Sequence, residues 1–211
     1  MDFESTKNLG GVGAILVVIG VLGTLGMPYA GLLSLIGFIL VLISLKGMAD
    51  YYKEDGIFNN ALYGFITLIV GVIVFVAVAA VVILSALASA AIDWTNPSAI
   101  QEYFMSMDMS NIMTSVGSIL LALVLLFIFL VVSAVLFRKS LNSLSEKSEV
   151  KLFGYAGLLW LIGAVLSIIG IGLIIIWIAW ILIAVGFFSM KKVTAEAAPF
   201  PQAPSPSPSP A

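Results

Sequence analysis

The sequence predicts an all-α polytopic membrane protein with six transmembrane helices. Of its residues, 62% are hydrophobic and 9% are charged, whereas a soluble globular chain carries about 25% charged residues. The apolar residues are gathered into runs that approach or exceed the about 20 residues a bilayer-spanning helix needs. When six runs cross the membrane in turn, every Lys and Arg falls on one side. These observations predict one transmembrane domain over residues 1–192 and a disordered Ser/Pro-rich cytoplasmic tail over 193–211.

The first two spans form a hairpin at residues 9–26 and 30–45. Each is near the short end of the length range for a spanning helix. Pro28 is expected in the turn between them, because proline cannot continue the first helix.

The third and fourth spans, residues 61–92 and 112–137, form a longer central pair. The third is longer than a bilayer requires, so it is expected to tilt or to project beyond the membrane. The polar segment between these spans contains Asn96 and Pro97, which are typical of a helix N-cap and first helical position. A short interfacial helix is therefore expected from Pro97 to about Met107.

The fifth and sixth spans, residues 152–169 and 173–190, form a second short hairpin. The polar stretches 46–60 and 138–151 are expected to be solvent-exposed loops on the same side as both termini. The nine basic residues on that side are Lys7, Lys46, Lys53, Arg138, Lys139, Lys147, Lys151, Lys191 and Lys192. Because Lys and Arg are enriched in cytoplasmic loops, both termini are expected to be cytoplasmic, in the cell (plasma) membrane.

The two short hairpins share a spacing of glycines, which suggests a duplicated helical hairpin flanking the central pair. When Lys7 is set against Lys151, the aligned pairs are Gly10 with Gly154, Gly13 with Gly157, and Gly26 with Gly170. Glycine and aliphatic residues are common in apolar helices, so coincidence remains the alternative. A true duplication with two helices between the copies predicts hairpins that point the same way.

Three segments carry a resemblance to a known family: residues 7–13, 31–37 and 49–63. Together they resemble a mainly archaeal family of small multi-pass membrane proteins, domain of unknown function 996. The Ile-Phe-Asn-Asn sequence at 57–60 is the most specific part. The resemblance implies membrane placement over residues 7–192 and an archaeal source. It brings no activity and no functional residues.

The composition removes most catalytic chemistry. The chain has no cysteine and no histidine, which excludes disulfides, thiolate nucleophiles and the usual zinc sites. The predicted spans contain no Asp, Glu, Lys, Arg or His, although such residues mark proton relays and ion pathways. We therefore expect no enzyme and no cofactor. The net charge of -2 predicts no nucleic-acid partner. The expected partners are the lipid bilayer and either a second copy or an unidentified membrane protein.

The leading hypothesis is a non-catalytic structural or accessory membrane protein. A small transporter or channel is the alternative, because broken helices can bind a substrate through backbone groups. A second alternative is extracytoplasmic copper binding by Met105, Met107 and Met109, since thioethers are soft ligands that select Cu(I). Alternate residues share a face only in an extended chain. If the segment is helical, Met105, Met109 and Met113 instead form one packing stripe.

Small residues predict where the third and fourth spans pack. Ser85 and Ser89 are on the third span, and Ser110, Thr114 and Ser118 approach or enter the fourth. Small residues at this spacing let helix backbones approach closely in lipid. These five are the expected helix-packing residues.

Three tryptophans, Trp160, Trp177 and Trp180, lie within the last two predicted spans. Tryptophan is enriched at membrane–water interfaces rather than inside spans. These side chains are therefore expected to fill the bundle core or to face lipid.

Overall fold

A computed structural model describes residues 2–24, 26, 29–90, 96–106 and 108–192. The helices are α1 (Phe3–Gly23), α2 (Ala30–Tyr52), α3 (Asp55–Ala90), α4 (Pro97–Ser106), α5 (Met109–Ser148), α6 (Lys151–Leu166) and α7 (Gly172–Ser189), with a 3₁₀ turn at Ser167–Ile169. Six of them, all but α4, are long and apolar enough to cross a membrane. The described residues contain no strand. The all-α, six-span architecture is confirmed.

The six long helices form a closed ring made of three hairpins. Around the ring the order is α1, α2, α3, α5, α6, α7 and back to α1. Within each hairpin the two helices run antiparallel: Gly13 faces Gly37, Gly71 faces Phe129, and Gly163 faces Ile176. All three hairpins therefore point the same way, with both described ends of the chain at one end of the ring. We call this the basic end, because the Lys and Arg residues lie towards it.

The polar stretches at the basic end are mostly helical, so their prediction as loops was wrong. Helix α2 continues to Tyr52 and α5 continues to Ser148. Charged residues such as Lys and Glu are good helix formers, so polarity alone does not end a helix that leaves the hydrocarbon. The chain reverses at Lys53 and Glu149, whose φ angles of 53° and 59° are left-handed. A left-handed residue is a common way to end a helix.

A short helix at the expected place, α4, is confirmed; its interfacial position stays a prediction. The backbone N–H of Ser98 donates to Asn96 Oδ1 at 3.1 Å, so Asn96 is the N-cap. Asp108 caps α5 in the same manner by accepting from the backbone N–H of Ser110, and the hydrogen bonds from Ser110 lower the pKa of the Asp108 carboxyl. Pro28, Met107 and the tail at 193–211 lie outside the described residues.

The central hairpin is longer than its neighbours, as expected. Helices α3 and α5 have 36 and 40 residues, or about 54 and 60 Å at about 1.5 Å per residue. The helices of the last hairpin, α6 and α7, have only 16 and 18 residues. The core lies towards the basic end and includes Leu45, Met48, Ile57, Leu141, Leu144, Phe153, Ile183 and Phe187. Far from that end, α3 and α5 expose apolar side chains such as Val81 and Leu120.

Candidate functional site

Five aromatic side chains form a layer in the space that the six long helices enclose. The rings are those of Phe38, Phe65, Phe137, Trp160 and Trp180, one from each of α2, α3, α5, α6 and α7. Phe38 stacks on Phe65 with centroids 4.7 Å apart, and Phe137 stacks on Trp160 at 5.2 Å. Trp180 meets Phe38 and Trp160 edge to face, at 5.2 and 5.0 Å. We call this set the aromatic layer.

The tryptophan expectation is confirmed for two residues and refined for the third. Trp160 and Trp180 are 4% and 3% exposed, so they are core residues. Trp177 is half-buried, and its Nε1 donates to the carbonyl oxygen of Val18 at 3.1 Å. That bond ties α7 to α1, so every helix of the ring is joined at about this level. The buried Nε1 of Trp160 has no hydrogen-bond partner among the described residues.

Two serines form hydrogen bonds between helices at the basic end, and the sequence reasoning missed both. Ser44 Oγ donates to the carbonyl oxygen of Thr6 at 2.7 Å, joining α2 to α1. Ser140 Oγ donates to the carbonyl oxygen of Ile57, joining α5 to α3. Both serines are fully buried. A serine within a long helical stretch was the available signal, because hydroxyl-to-carbonyl bonds between helices stabilise membrane bundles.

The predicted helix-packing residues bond locally. The hydroxyls of Ser85, Thr114 and Ser118 donate to carbonyl oxygens three or four residues earlier in their own helices, and that of Ser110 donates to Asp108. Ser85, Ser110 and Thr114 are exposed and Ser118 is half-buried. The structure does not describe the side chain of Ser89. The packing role of these five residues stays a prediction.

Glycines mark the close approach of α3 and α5, nearer the basic end than the sequence suggested. A Cβ at Gly71 would lie 2.5 Å from Phe129 Cβ. One at Gly64 would lie 3.1 Å from the carbonyl oxygen of Ser133. Glycine permits such contact because it has no side chain to separate the backbones.

The methionines are divided between two helices. Met105 lies in α4 and Met109 is the first residue of α5, and both are exposed. Met107 lies outside the described residues. A common stripe of Met105, Met109 and Met113 was expected only if one helix held all three. That condition is not met, because α4 ends at Ser106 and Asp108 caps a new helix. The described residues hold no cluster of three His, Cys, Asp or Glu side chains able to bind a metal. Copper binding stays a prediction.

A groove of about 370 Å³ lies between α2 and α3, on the outer surface of the ring. Its lining residues are Ile39, Leu42, Ile43, Lys46, Gly47 and Asp50 from α2, with Phe58 and Leu62 from α3. Lys46 Nζ lies 2.8 Å from Asp50 Oδ1 and 5.5 Å from the centre of the Phe58 ring. The interface between α2 and α3 is the least extensive in the ring. We call this feature the α2–α3 groove.

Comparisons with known proteins place the chain in a family. A family model described as a protein of unknown function (DUF996) matches residues 33–181. An uncharacterized protein of the archaeon Methanocaldococcus jannaschii is 27% identical over 190 residues, covering 90% of this chain and 94% of that protein. No solved structure matches the chain. The family match spans more than half of the chain and includes α3, α4, α5 and α6 entire, and the chain therefore belongs to the DUF996 family of proteins of unknown function.

Proposed function

We propose that the protein is a non-catalytic structural or accessory component of the cell membrane. The observation that carries this proposal is the aromatic layer, in which rings from five helices meet at centroid distances of 4.7–5.4 Å around Phe38 and Phe137. Side chains in such contact fill the space in which a water-lined pathway would have to run. A bundle whose interior is filled in this way supports a structural role over the transport of a solute.

The alternative of a small transporter or channel needs a polar cavity inside the bundle near mid-membrane. The α2–α3 groove opens on the outer, lipid-facing side of the ring of helices. Away from the basic end, Ile39 and Ile43 form its wall. A site of that kind suits a molecule that arrives from the membrane. It gives no support to a path from one aqueous side to the other.

The orientation with both termini in the cytoplasm belongs to the same proposal. The ends of α1 and α7 are adjacent, since Lys7 Nζ donates to the carbonyl oxygen of Met190 at 3.2 Å. The turn between α2 and α3 reaches the end of α5, since Lys147 pairs with Glu54 at 3.3 Å. The described basic residues therefore gather towards one end, and an excess of Lys and Arg is typical of the cytoplasmic side.

Flux through reconstituted vesicles tests this proposal. We expect sealed liposomes that contain the purified protein to release trapped ions and small neutral solutes no faster than protein-free liposomes. Affinity purification from the native membrane should in parallel recover a membrane protein at fixed stoichiometry, as an accessory role requires. Saturable flux of one solute, with no stable protein partner, would contradict the proposal and establish the transporter alternative.

A further inference from the structure

We propose that the α2–α3 groove binds one membrane phospholipid whose headgroup carries both a phosphate and an ammonium group. The lipid would lie between the two helices, against residues from Ile39 to Asp50 on α2 and against Phe58 and Leu62 on α3. This goes beyond a structural role, because it assigns a ligand class and a position to a surface of the bundle.

The groove is apolar along most of its length and charged at one end. Ile39, Ile43 and Leu62 form an apolar wall, whereas Lys46 and Asp50 lie towards the basic end. The α2 residues recur every three or four positions, so they share one helix face. From Ile39 to Asp50 the face extends about 16 Å at about 1.5 Å per residue. A ligand that is apolar over most of this length and charged at one end matches a lipid lying parallel to its neighbours in one leaflet.

Contacts between α2 and α1 keep the groove open. Gly47 lies in the lining of the groove, and a Cβ at this position would come within 2.6 Å of the Thr6 side chain on α1. On the next turn towards the middle of α2, Ser44 Oγ bonds to the carbonyl oxygen of Thr6. These contacts hold this part of α2 against α1. The side of α2 that faces α3 is left with a gap, which the hydrocarbon of a lipid can fill.

The polar end of the groove carries charges of both signs. Lys46 and Asp50 form an exposed ion pair. Such pairs contribute little to stability, so contacts with a headgroup can take the place of the contact between the two side chains. The turn from α2 to α3 that follows carries Lys53, Glu54 and Asp55, and Glu54 pairs with Lys147. These six charges sum to zero. A purely anionic headgroup would gain attraction from Lys46 but repulsion from Asp50.

A headgroup with both charges satisfies both side chains. Its phosphate accepts hydrogen bonds from the Lys46 ammonium, and its own ammonium pairs with the Asp50 carboxylate. The ring of Phe58, 5.5 Å from Lys46 Nζ, keeps the lysine at the groove through a cation–π contact. The chemistry therefore favours a zwitterionic lipid over an anionic lipid with the same chains.

The test measures lipid retention by native mass spectrometry. The delipidated full-length protein in detergent is mixed with phosphatidylethanolamine or phosphatidylglycerol of identical chains. We expect one phosphatidylethanolamine to be retained per protein, with an apparent Kd at least tenfold lower than that for phosphatidylglycerol. Ile43→Trp should fill the groove and weaken retention at least tenfold. Asp50→Asn should remove the preference between the two lipids.

The matched control is Ile162→Trp on α6. Ile162 is 40% exposed, close to the 44% of Ile43, but it does not line the groove. This variant should retain lipid as the wild type does. Thermal unfolding followed by circular dichroism should show that all three variants remain folded. Should Ile43→Trp prove unfolded, Asp50→Asn carries the test alone, because an exposed side chain can be changed without disturbing the core.

Three outcomes would overturn the proposal. Equal retention of both lipids by the wild type would remove the zwitterionic assignment. Equal retention by folded Ile43→Trp and by Ile162→Trp would place the lipid elsewhere on the surface. If the number of bound lipids increases without a plateau as lipid is added, the association is non-specific and no lipid site exists. None of these depends on the flux measurement, so the groove and the structural role fail or succeed separately.

Discussion

Replacing Phe137 by alanine is expected to cost about 3–5 kcal/mol of the free energy of unfolding, the usual range for a buried phenylalanine. Phe137 is 1% exposed and meets Phe38, Trp160 and Trp180 at centroid distances of 5.4, 5.2 and 6.2 Å. Truncation would leave a hole in the middle of the aromatic layer. In lipid the loss persists, because it comes from dispersion contacts that no solvent molecule can restore in a closed core.

Reversible unfolding in mixed micelles measures this effect. Phe137→Leu should lose less than Phe137→Ala, since leucine keeps part of the ring volume. The control is Leu120→Ala on the same helix, where the side chain is exposed; it should change stability by no more than about 0.5 kcal/mol. Similar losses for Phe137→Ala and Leu120→Ala would show that the aromatic layer does not hold the ring together.

Gly37→Leu should destabilise the first hairpin by about 3 kcal/mol, at the upper end of the usual cost of overpacking. A Cβ at this position would lie 2.5 Å from the carbonyl oxygen of Gly13 and 2.8 Å from the backbone nitrogen of Val17. Both neighbours are backbone atoms, so no side-chain rotation relieves the clash. Helices α1 and α2 would have to separate, which also stretches the hydrogen bond from Ser44 to Thr6.

Gly117→Leu is the matched control for this substitution. Gly117 also lies within a helix, but a Cβ there would meet nothing within 4 Å. Leucine at an open helical site should stabilise, because glycine is about 0.8–1.0 kcal/mol less favourable than alanine in a helix interior and leucine is close to alanine. Opposite signs for the two substitutions are thus expected in the same micelle assay. Losses of equal size would refute close backbone contact at Gly37.

The spans were predictable because apolar length is a direct requirement of the bilayer. The cap at Asn96 and the helix after Pro97 were predictable because they depend on neighbouring residues. The ends of α2 and α5 were not. They depend on left-handed backbone at Lys53 and Glu149, and neither residue type signals that conformation as glycine does.

The contacts between helices were less predictable than the helices. A stripe of small residues shows that a backbone can be approached, but not which helix approaches it. Gly13 and Gly157 align in the two short hairpins, yet Gly13 packs against Gly37 of α2 while Gly157 packs against Arg138 of α5. The aligned glycines therefore meet different partners, and a duplication remains one interpretation of the shared spacing.

The groove between α2 and α3 had no sequence signal of its own. Its lining residues are ordinary members of an apolar helix followed by a charged turn. Ser44 and Gly47 of α2 contact Thr6 on α1, and a contact between helices cannot be read from the sequence of one helix. Lys46 was recognised only as the basic end of a hairpin.

Cysteine labelling in intact cells tests the central claim, a six-span bundle with its basic end in the cytoplasm. The chain has no cysteine, so each variant carries a single reactive thiol. Gln101 in α4 and Glu146 in α5 are both exposed and lie near opposite ends of the bundle. With a membrane-impermeant maleimide, Gln101→Cys should label in intact cells and Glu146→Cys only after the membrane is permeabilised. Labelling of both residues in intact cells, or of Glu146→Cys alone, would contradict the account.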